Sequence, residues 1–460
     1  MNSIKSILTT AAICLSAAAS AQFAVWSGGE AKYTMTSGTP ERITLWGGSS
    51  FNVLDANWSP LYTSSSSPDS VTFYVPSAKE EEKGDEGGDT ESDFLPDAKT
   101  IVSKIYAGVN IGNTMECPSG EGAWSGTKVN ETYIKGLKTL GFNAVRIPCA
   151  WHSHASGSDY KISETWMARV KEVVGWCISN DMYVVLNCHW DNGWLEDNIF
   201  NSSKQDAIVA EQKALWTQIA NALKDFDGHL VFAGCNEPGM NETSGNSTKW
   251  NDATAITRLV LYEQTFIDAV RATGGNNAKR CLVFQGLGTD IANTYDYMTT
   301  LPTDQVADRL IAEVHYYEPY QWALMDKNAD WGNVFYYWGA DNHKTDSNHN
   351  PTWGEESWVK SQFNKMKTKF VDKGIPVILG EYSARIQTAA VDNSETFDKD
   401  LHDKSRAYYN EVVTREAKNY GIAPFYWETN GDIYRSNGTA KNAYAIDGIM
   451  KGAAAGTYPF

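Results

Sequence analysis

The chain has 460 residues, enough for one large barrel with additions or for two or three ordinary domains. Hydrophobic residues make up 42 %, which supports a real core, and a formal net charge of −17 repels polyanions and so argues against nucleic acid as a partner. A neutral polymer is indifferent to that charge, and 17 Trp and 23 Tyr supply many flat rings for stacking.

The first residues, MNSIKSILTTAAICLSAAASAQ, carry a positive Lys5, an apolar stretch from Ile7 to Ala19 and a small-residue site at Ala19-Ser20-Ala21. This pattern predicts a cleavable signal peptide over residues 1–21 and a secreted mature chain. Ile13 before Cys14 argues against lipidation, and no other apolar run is long enough for a membrane span. The six cysteines beyond the leader are Cys117, Cys149, Cys177, Cys188, Cys235 and Cys281. Cys188 and Cys235 lie inside predicted strands and Cys149 directly after one, which favours buried free thiols over disulfides.

Residues 22–78 hold short β-type runs (FAVWSGG, AKYTMTSG, ERITLWGG, SVTFYVP) between Gly, Ser and Pro, and predict a small β-rich N-terminal module. Residues 79–94 are acidic and Gly-rich and predict an extended linker. From 95 to 460 strand and helix signals alternate. Eight candidate strands follow: 104–112, 143–148, 182–190, 229–238, 280–288, 310–317, 375–383 and 424–431. One helix between them is clear, with Ser163 as its cap and Trp166, Val170, Val173 and Cys177 at helical spacing. Near-continuous apolar strands separated by helices predict an α/β fold, a (β/α)₈ TIM barrel. The sixth connection, about 318–356, is long and aromatic and is expected to pack on the barrel top as a cleft wall.

Functional residues of such a barrel sit at the C-terminal strand ends. Those ends read Arg146, His189, Asn236, Glu237, His315, Tyr317, Glu381 and Trp427. Glu237 and Glu381 fall on strands four and seven, whose ends face each other across the mouth. Two carboxylates across a cleft suit the hydrolysis of a glycosidic bond, one protonating the leaving oxygen and the other attacking the anomeric carbon or activating water.

The ordered runs GVNIGNT, GFNAVRIP, NCHWDNGW, FAGCNEPG, RATGGNN, AEVHYYEPY, IPVILGEYS and FYWETNG resemble glycoside hydrolase family 5, most closely its subfamily 4 of endoglucanases and xyloglucanases. The resemblance implies a retaining endo-β-1,4-glucanase, with Glu237 as acid/base and Glu381 as nucleophile. It implies that Asn236 binds the sugar 2-hydroxyl, that Arg146 and Tyr317 support Glu381, and that His189 and His315 line the site where the cleaved sugar sits. Trp427 is implied as the floor under that sugar. Donors beside Glu381 are expected to lower its pKa. Two departures stand out: Trp190 occupies the place of the subfamily's second histidine, and Glu428 that of an aspartate.

Trp124, Trp190, Trp194, Trp322 and Trp338 are candidate sugar platforms. Asp191, Glu196, Glu318 and Glu428 read as supporting or surface groups. His343 and His349, with Asp341 and Asp346, read as a solvated loop in preference to a metal site. No metal or cofactor is expected, since the strand ends lack a His-x-His pair. The expected partner is plant cell-wall β-glucan, cellulose or mixed-linkage glucan ahead of xyloglucan and mannan, and a monomer is expected.

Overall fold

The computed structural model describes residues 95–243, 249–392 and 395–460, together with the backbone of seven strands between Thr10 and Tyr74. Contacts divide the chain into two units, Met1–Thr90 and Glu91–Phe460. In the first unit, Phe23–Ser27, Glu30–Met35, Phe51–Leu54 and Pro60–Ser64 form one sheet, and Thr10–Cys14, Glu41–Thr44 and Ser70–Tyr74 form another. Each of the four β-type runs therefore lies on a strand. The acidic linker, and the leader apart from Thr10–Cys14, lie outside the described residues.

The second unit is a closed parallel barrel of eight strands. They are β1 (Gly108–Asn110), β2 (Ala144–Ile147), β3 (Tyr183–Asn187), β4 (Leu230–Ala233), β5 (Leu282–Asp290), β6 (Leu310–Tyr316), β7 (Val377–Tyr382) and β8 (Ile422–Tyr426). All eight strands expected from the sequence are present. They are buried on both faces, which explains their continuous apolar reading. Alternation sorts the side chains. Val145, Val184, Leu186 and Phe232 pack outward with the helices, while Ala144, Val185, Val231 and Val283 fill the interior. The helix Ala98–Lys104 adds Ala98, Ile101 and Val102 to that interior cluster and closes the barrel's N-terminal end. Its Ala98 amide donates to the Asp308 carbonyl just before β6.

Helix Glu164–Ser179 buries Trp166, Val170, Val173 and Cys177, as its spacing predicts. Ser163 stands at its N-cap position but makes no capping bond; its hydroxyl pairs with Thr165 Oγ1 at 2.8 Å instead. All six cysteines of this unit are buried free thiols. No helix among the described residues is long and apolar enough to cross a membrane.

The sixth connection corrects part of the aromatic reading. Trp322 and Trp338 are buried and are not sugar platforms. Trp322 packs edge-on against His402 and Tyr409, and Trp338 packs against Tyr408 and Tyr409 while donating its Nε1–H to the Gly354 carbonyl at 3.0 Å. These rings therefore fasten the connection to helix Lys399–Asn419. His349 is likewise buried, stacked on Tyr336 at 3.8 Å with Nδ1 2.6 Å from the Val334 carbonyl, so a solvated loop describes this stretch poorly. His343 pairs with Glu355 at 2.9 Å. Trp338→Ala is expected to lower unfolding stability by about 3–5 kcal/mol and to leave KM for a soluble glucan unchanged. Chemical denaturation and initial rates check the two halves, and a raised KM at unchanged stability would restore the platform reading.

Candidate active site

The C-terminal ends of β2, β4, β6 and β7 converge on one group of ionisable side chains. Arg146 faces inward from β2, between outward Val145 and Ile147, and is wholly buried. Its Nη1 donates to Glu381 Oε1 at 2.8 Å and to Asn110 Oδ1 at 2.9 Å, and its Nη2 to Asn236 Oδ1 at 2.6 Å. Tyr317 donates its hydroxyl to the other Glu381 oxygen at 2.9 Å. His315 is the register partner of Glu381 across β6 and β7, at a break in the ladder between Val314 and His315. Such irregularities re-aim side chains at barrel rims. His315 Nδ1 lies 2.8 Å from Glu237 Oε1 and 3.7 Å from Glu381 Oε2.

The two carboxylates differ in setting. Glu381 is 5 % exposed, whereas the Glu237 side chain is 29 % exposed and faces the cavity. Glu237 sits at φ +48°, a left-handed conformation that costs a non-glycine residue about 1–3 kcal/mol. Its amide is held there by Gln285 Oε1 at 2.9 Å and Thr289 Oγ1 at 3.1 Å, both from β5. The Asn236 amide donates to Glu196 Oε1 at 3.2 Å. Glu196, Asp191 and Glu428 are buried among such donors, so none is a surface group. Glu318 is partly buried and accepts from Trp358 Nε1 at 2.7 Å.

Burial pushes the Glu381 carboxyl above the usual carboxylate range, and Glu237 adds to this; His315, Arg146 and Tyr317 pull it back without offsetting burial. The donors lower it as expected, but the net direction is upward because they come with nearly complete desolvation. His315 is pushed down by burial, but Glu381, Glu237 and Glu313 outweigh this and raise it to about 9. Burial, with Arg146 and His315, holds His189 well below its ordinary value, so its ring is neutral. Asn187 spends its Oδ1 on the Cys149 amide and presents its Nδ2 to His189 Nδ1 at 3.0 Å, which places the imidazole hydrogen on Nε2. Burial and the two glutamates raise Tyr317 well above its ordinary value and keep its hydroxyl a donor. Glu381 must be ionised to act, so kcat/KM is expected to fall on the acid side at a pH above the ordinary glutamate range. On the alkaline side His315 loses its proton near pH 9, which bounds the plateau. A pH–rate profile checks both limbs, and an acid limb at or below the ordinary glutamate value would contradict the buried setting of Glu381.

A cavity of about 490 Å³ opens over these groups. Trp427 and His189 line it, stacked at 6.0 Å with 6° between their planes. Tyr320 and Leu324 of the sixth connection line it too, and Tyr320 leans on the exposed Trp331 at 6.1 Å. The connection thus lines the cleft as expected, through Tyr320 and Leu324 in place of Trp322 and Trp338. Trp194 is buried and stacks on His152 at 6.0 Å, and is no platform either. Trp124 is 51 % exposed and Trp190 half-buried, with Nε1 donating to Asp197 at 3.1 Å; neither lines this cavity. Glu237, His315 and Glu381 each place one atom within 4.8 Å of the others, close enough to hold a metal ion. The Arg146 guanidinium, 2.8 Å from Glu381, opposes a second cation there.

Sequence reasoning missed Asn110, Gln285, Thr289 and Glu313. Glu313 had a readable signal, since on a strand it shares a face with His315 two residues later.

Two carboxylates across the mouth of a closed parallel barrel, below a cleft with an aromatic side wall, define a (β/α)₈-barrel glycoside hydrolase. Residues 107–432 match the family model described as cellulase (glycosyl hydrolase family 5), and the chain belongs to this family. It is 32 % identical over 369 residues to the xyloglucan-specific endo-β-1,4-glucanase of Bacteroides ovatus, covering 76 % of this chain and 69 % of that protein. A family 5 xyloglucan-specific β-1,4-glucanase from a ruminal metagenomic library, solved with the oligosaccharide XXLG, superposes with a TM-score of 0.72 at 42 % identity, covering 79 % of this chain and 98 % of the other. A subfamily 4 broad-specificity endoglucanase from Bacteroides salanitronis superposes with a TM-score of 0.69 at 31 % identity, covering 81 % and 99 %.

Proposed function

We propose that this protein is an exported, retaining endo-β-1,4-glucanase with Glu381 as nucleophile and Glu237 as acid/base. The observation that carries the reading is the unequal provision of the two carboxylates. Glu381 is buried and oriented on both oxygens by Arg146 and Tyr317, while Glu237 faces the cavity. Their oxygens approach within 4.8 Å, which suits direct attack. An inverting pair needs about 6.5–9.5 Å to admit a water.

In the first step Glu381 attacks the anomeric carbon while the glycosidic bond breaks and its oxygen takes the proton of Glu237. In the second, Glu237 removes a proton from water, which displaces Glu381 and restores both groups. Negative charge leaves Glu381 as it appears on Glu237, and His315 stands within reach of both. Asn236, fixed by Arg146 and Glu196, meets the sugar 2-hydroxyl. His189 offers its Nε2–H to a neighbouring hydroxyl, and Trp427 lies under the ring.

The backbone cut is a β-1,4-glucan of the plant cell wall. Likeness to xyloglucan-specific relatives supports xyloglucan ahead of cellulose and mixed-linkage glucan, a change from the sequence expectation. Initial rates on xyloglucan, barley β-glucan, cellulose and mannan test this, with product anomers followed by NMR. The first product is expected in the β configuration; α product, or mannan as the fastest substrate, would refute the reading. Export rests on the leader, and N-terminal sequencing of secreted protein should begin at Gln22. One chain supplies every site residue, which supports a monomeric enzyme; sedimentation checks this.

A further inference from the structure

Beneath the two glutamates lies a third carboxylate that the reaction does not consume. Glu313 projects inward from β6 and is wholly buried. Its Oε1 lies 2.9 Å from Arg146 Nε and 3.3 Å from His315 Nε2, and its Oε2 accepts from Gln285 Nε2 at 2.8 Å. Gln285 in turn accepts the Glu237 amide and the Thr289 hydroxyl on its Oε1. One buried anion therefore touches both cations of the centre and the amide side chain that holds Glu237 in its left-handed conformation.

We propose that Glu313 is a positioning residue that fixes Arg146 against Glu381 and His315 against Glu237, and remains a constant counter-ion while negative charge passes between the two glutamates. The proposal rests on the assignment of nucleophile and acid/base made above.

A buried carboxylate is costly unless it is paired and hydrogen-bonded, and Glu313 is both. Gly380, next to the nucleophile, gives it room: a Cβ there would lie 1.8 Å from Glu313 Oε1. Arg146, with Asn110 and Glu381 on Nη1 and Asn236 on Nη2, has its Nε 2.9 Å from Glu313 Oε1, an ion-pair contact without hydrogen-bond alignment. His315 is held at both nitrogens, so its ring cannot turn without leaving one carboxylate unpaired. The charged and titratable groups facing His315 are Glu237, Glu313, Glu381, Tyr317, Arg146 and His189. Burial would raise the Glu313 carboxyl, but Arg146, His315 and Gln285 together hold it below the usual carboxylate range.

The test is Glu313→Gln, which keeps the shape and removes the charge. On a soluble glucan kcat is expected to fall about 100-fold with KM nearly unchanged, since a misplaced catalytic group impairs the chemical step more than binding. The basic limb of the pH–rate profile should move to lower pH, because His315 loses an anionic partner. Unchanged kcat, or a loss with the basic limb in place, would overturn the proposal. Should the variant not fold, nitrogen-15 histidine NMR of the wild-type enzyme reads the same point: both His315 nitrogens should carry protons at pH 8, below the value of about 9. A neutral ring at that pH overturns the proposal. This reading needs no substrate, so its failure is distinct from a failure of the glucanase assignment.

Discussion

Glu381→Ala should abolish hydrolysis of every β-glucan, by roughly four orders of magnitude or more, because no covalent intermediate can form. Azide fits the space vacated by the carboxylate. With an activated aryl β-glycoside it should restore turnover and give the α-glycosyl azide, by a single displacement. Glu237→Ala should behave differently. Activity on polymers falls by about 10²–10⁴, the usual share of general acid catalysis. A substrate with a dinitrophenyl leaving group, which needs no proton, should still form the glycosyl ester. Azide then attacks that ester from the opposite face and gives the β-glycosyl azide. The opposite anomers follow from the two environments: Glu381 sits buried between Arg146 and Tyr317, and Glu237 borders the cavity. The same anomer from both variants, read by NMR, would sink the division of roles.

Gly380→Ala should inactivate the enzyme while leaving both glutamates in place chemically. The requirement is steric, because the added Cβ would fall 1.8 Å from Glu313 Oε1 and 2.7 Å from its Cδ. The strand cannot yield easily, since Gly380 lies within β7 and its carbonyl accepts from Asn110 Nδ2 at 2.8 Å. Glu313 must therefore shift, and Arg146 and His315 shift with it. Overpacking of this kind costs about 1–3 kcal/mol of stability. Displacing the two cations by even 1 Å should cost about 100-fold in kcat. Denaturation midpoints test the mechanism through non-additivity. The double variant Gly380→Ala with Glu313→Ala should be no less stable than Glu313→Ala alone, because the methyl then meets no carboxylate. Additive losses would mean that the methyl displaces some other group.

The site was legible to the extent that its residues end strands. Arg146, His189, Asn236, Glu237, His315, Tyr317, Glu381 and Trp427 each follow an apolar run, and a parallel barrel gathers such ends at one face. The supporting residues lie within runs. Gln285 sits inside LVFQGLG and Glu313 inside LIAEVHYY, where a polar side chain interrupts an apolar pattern without a motif of its own. Only closure of the sheet shows that both point to the same interior point. The tryptophans show a converse limit. Trp322, Trp331 and Trp338 lie in one aromatic connection, yet Trp331 is 64 % exposed and the other two are buried. A ring that stacks on sugar and a ring that fills a core have the same chemistry, and burial is decided by residues far along the chain, here Tyr408 and Tyr409.

The sequence by itself determined the barrel, through eight apolar runs alternating with helices, and the pair of glutamates, through their places on the fourth and seventh of those runs. The tertiary structure decided how those glutamates are charged and held. Hydrogen bonds and desolvation depend on distances between β2, β5, β6 and β7, which sequence spacing does not encode. It therefore took the closed barrel to place Arg146 against Glu381, to hold His315 between Glu237 and Glu313, and to raise Glu381 by burial where its donors alone would lower it.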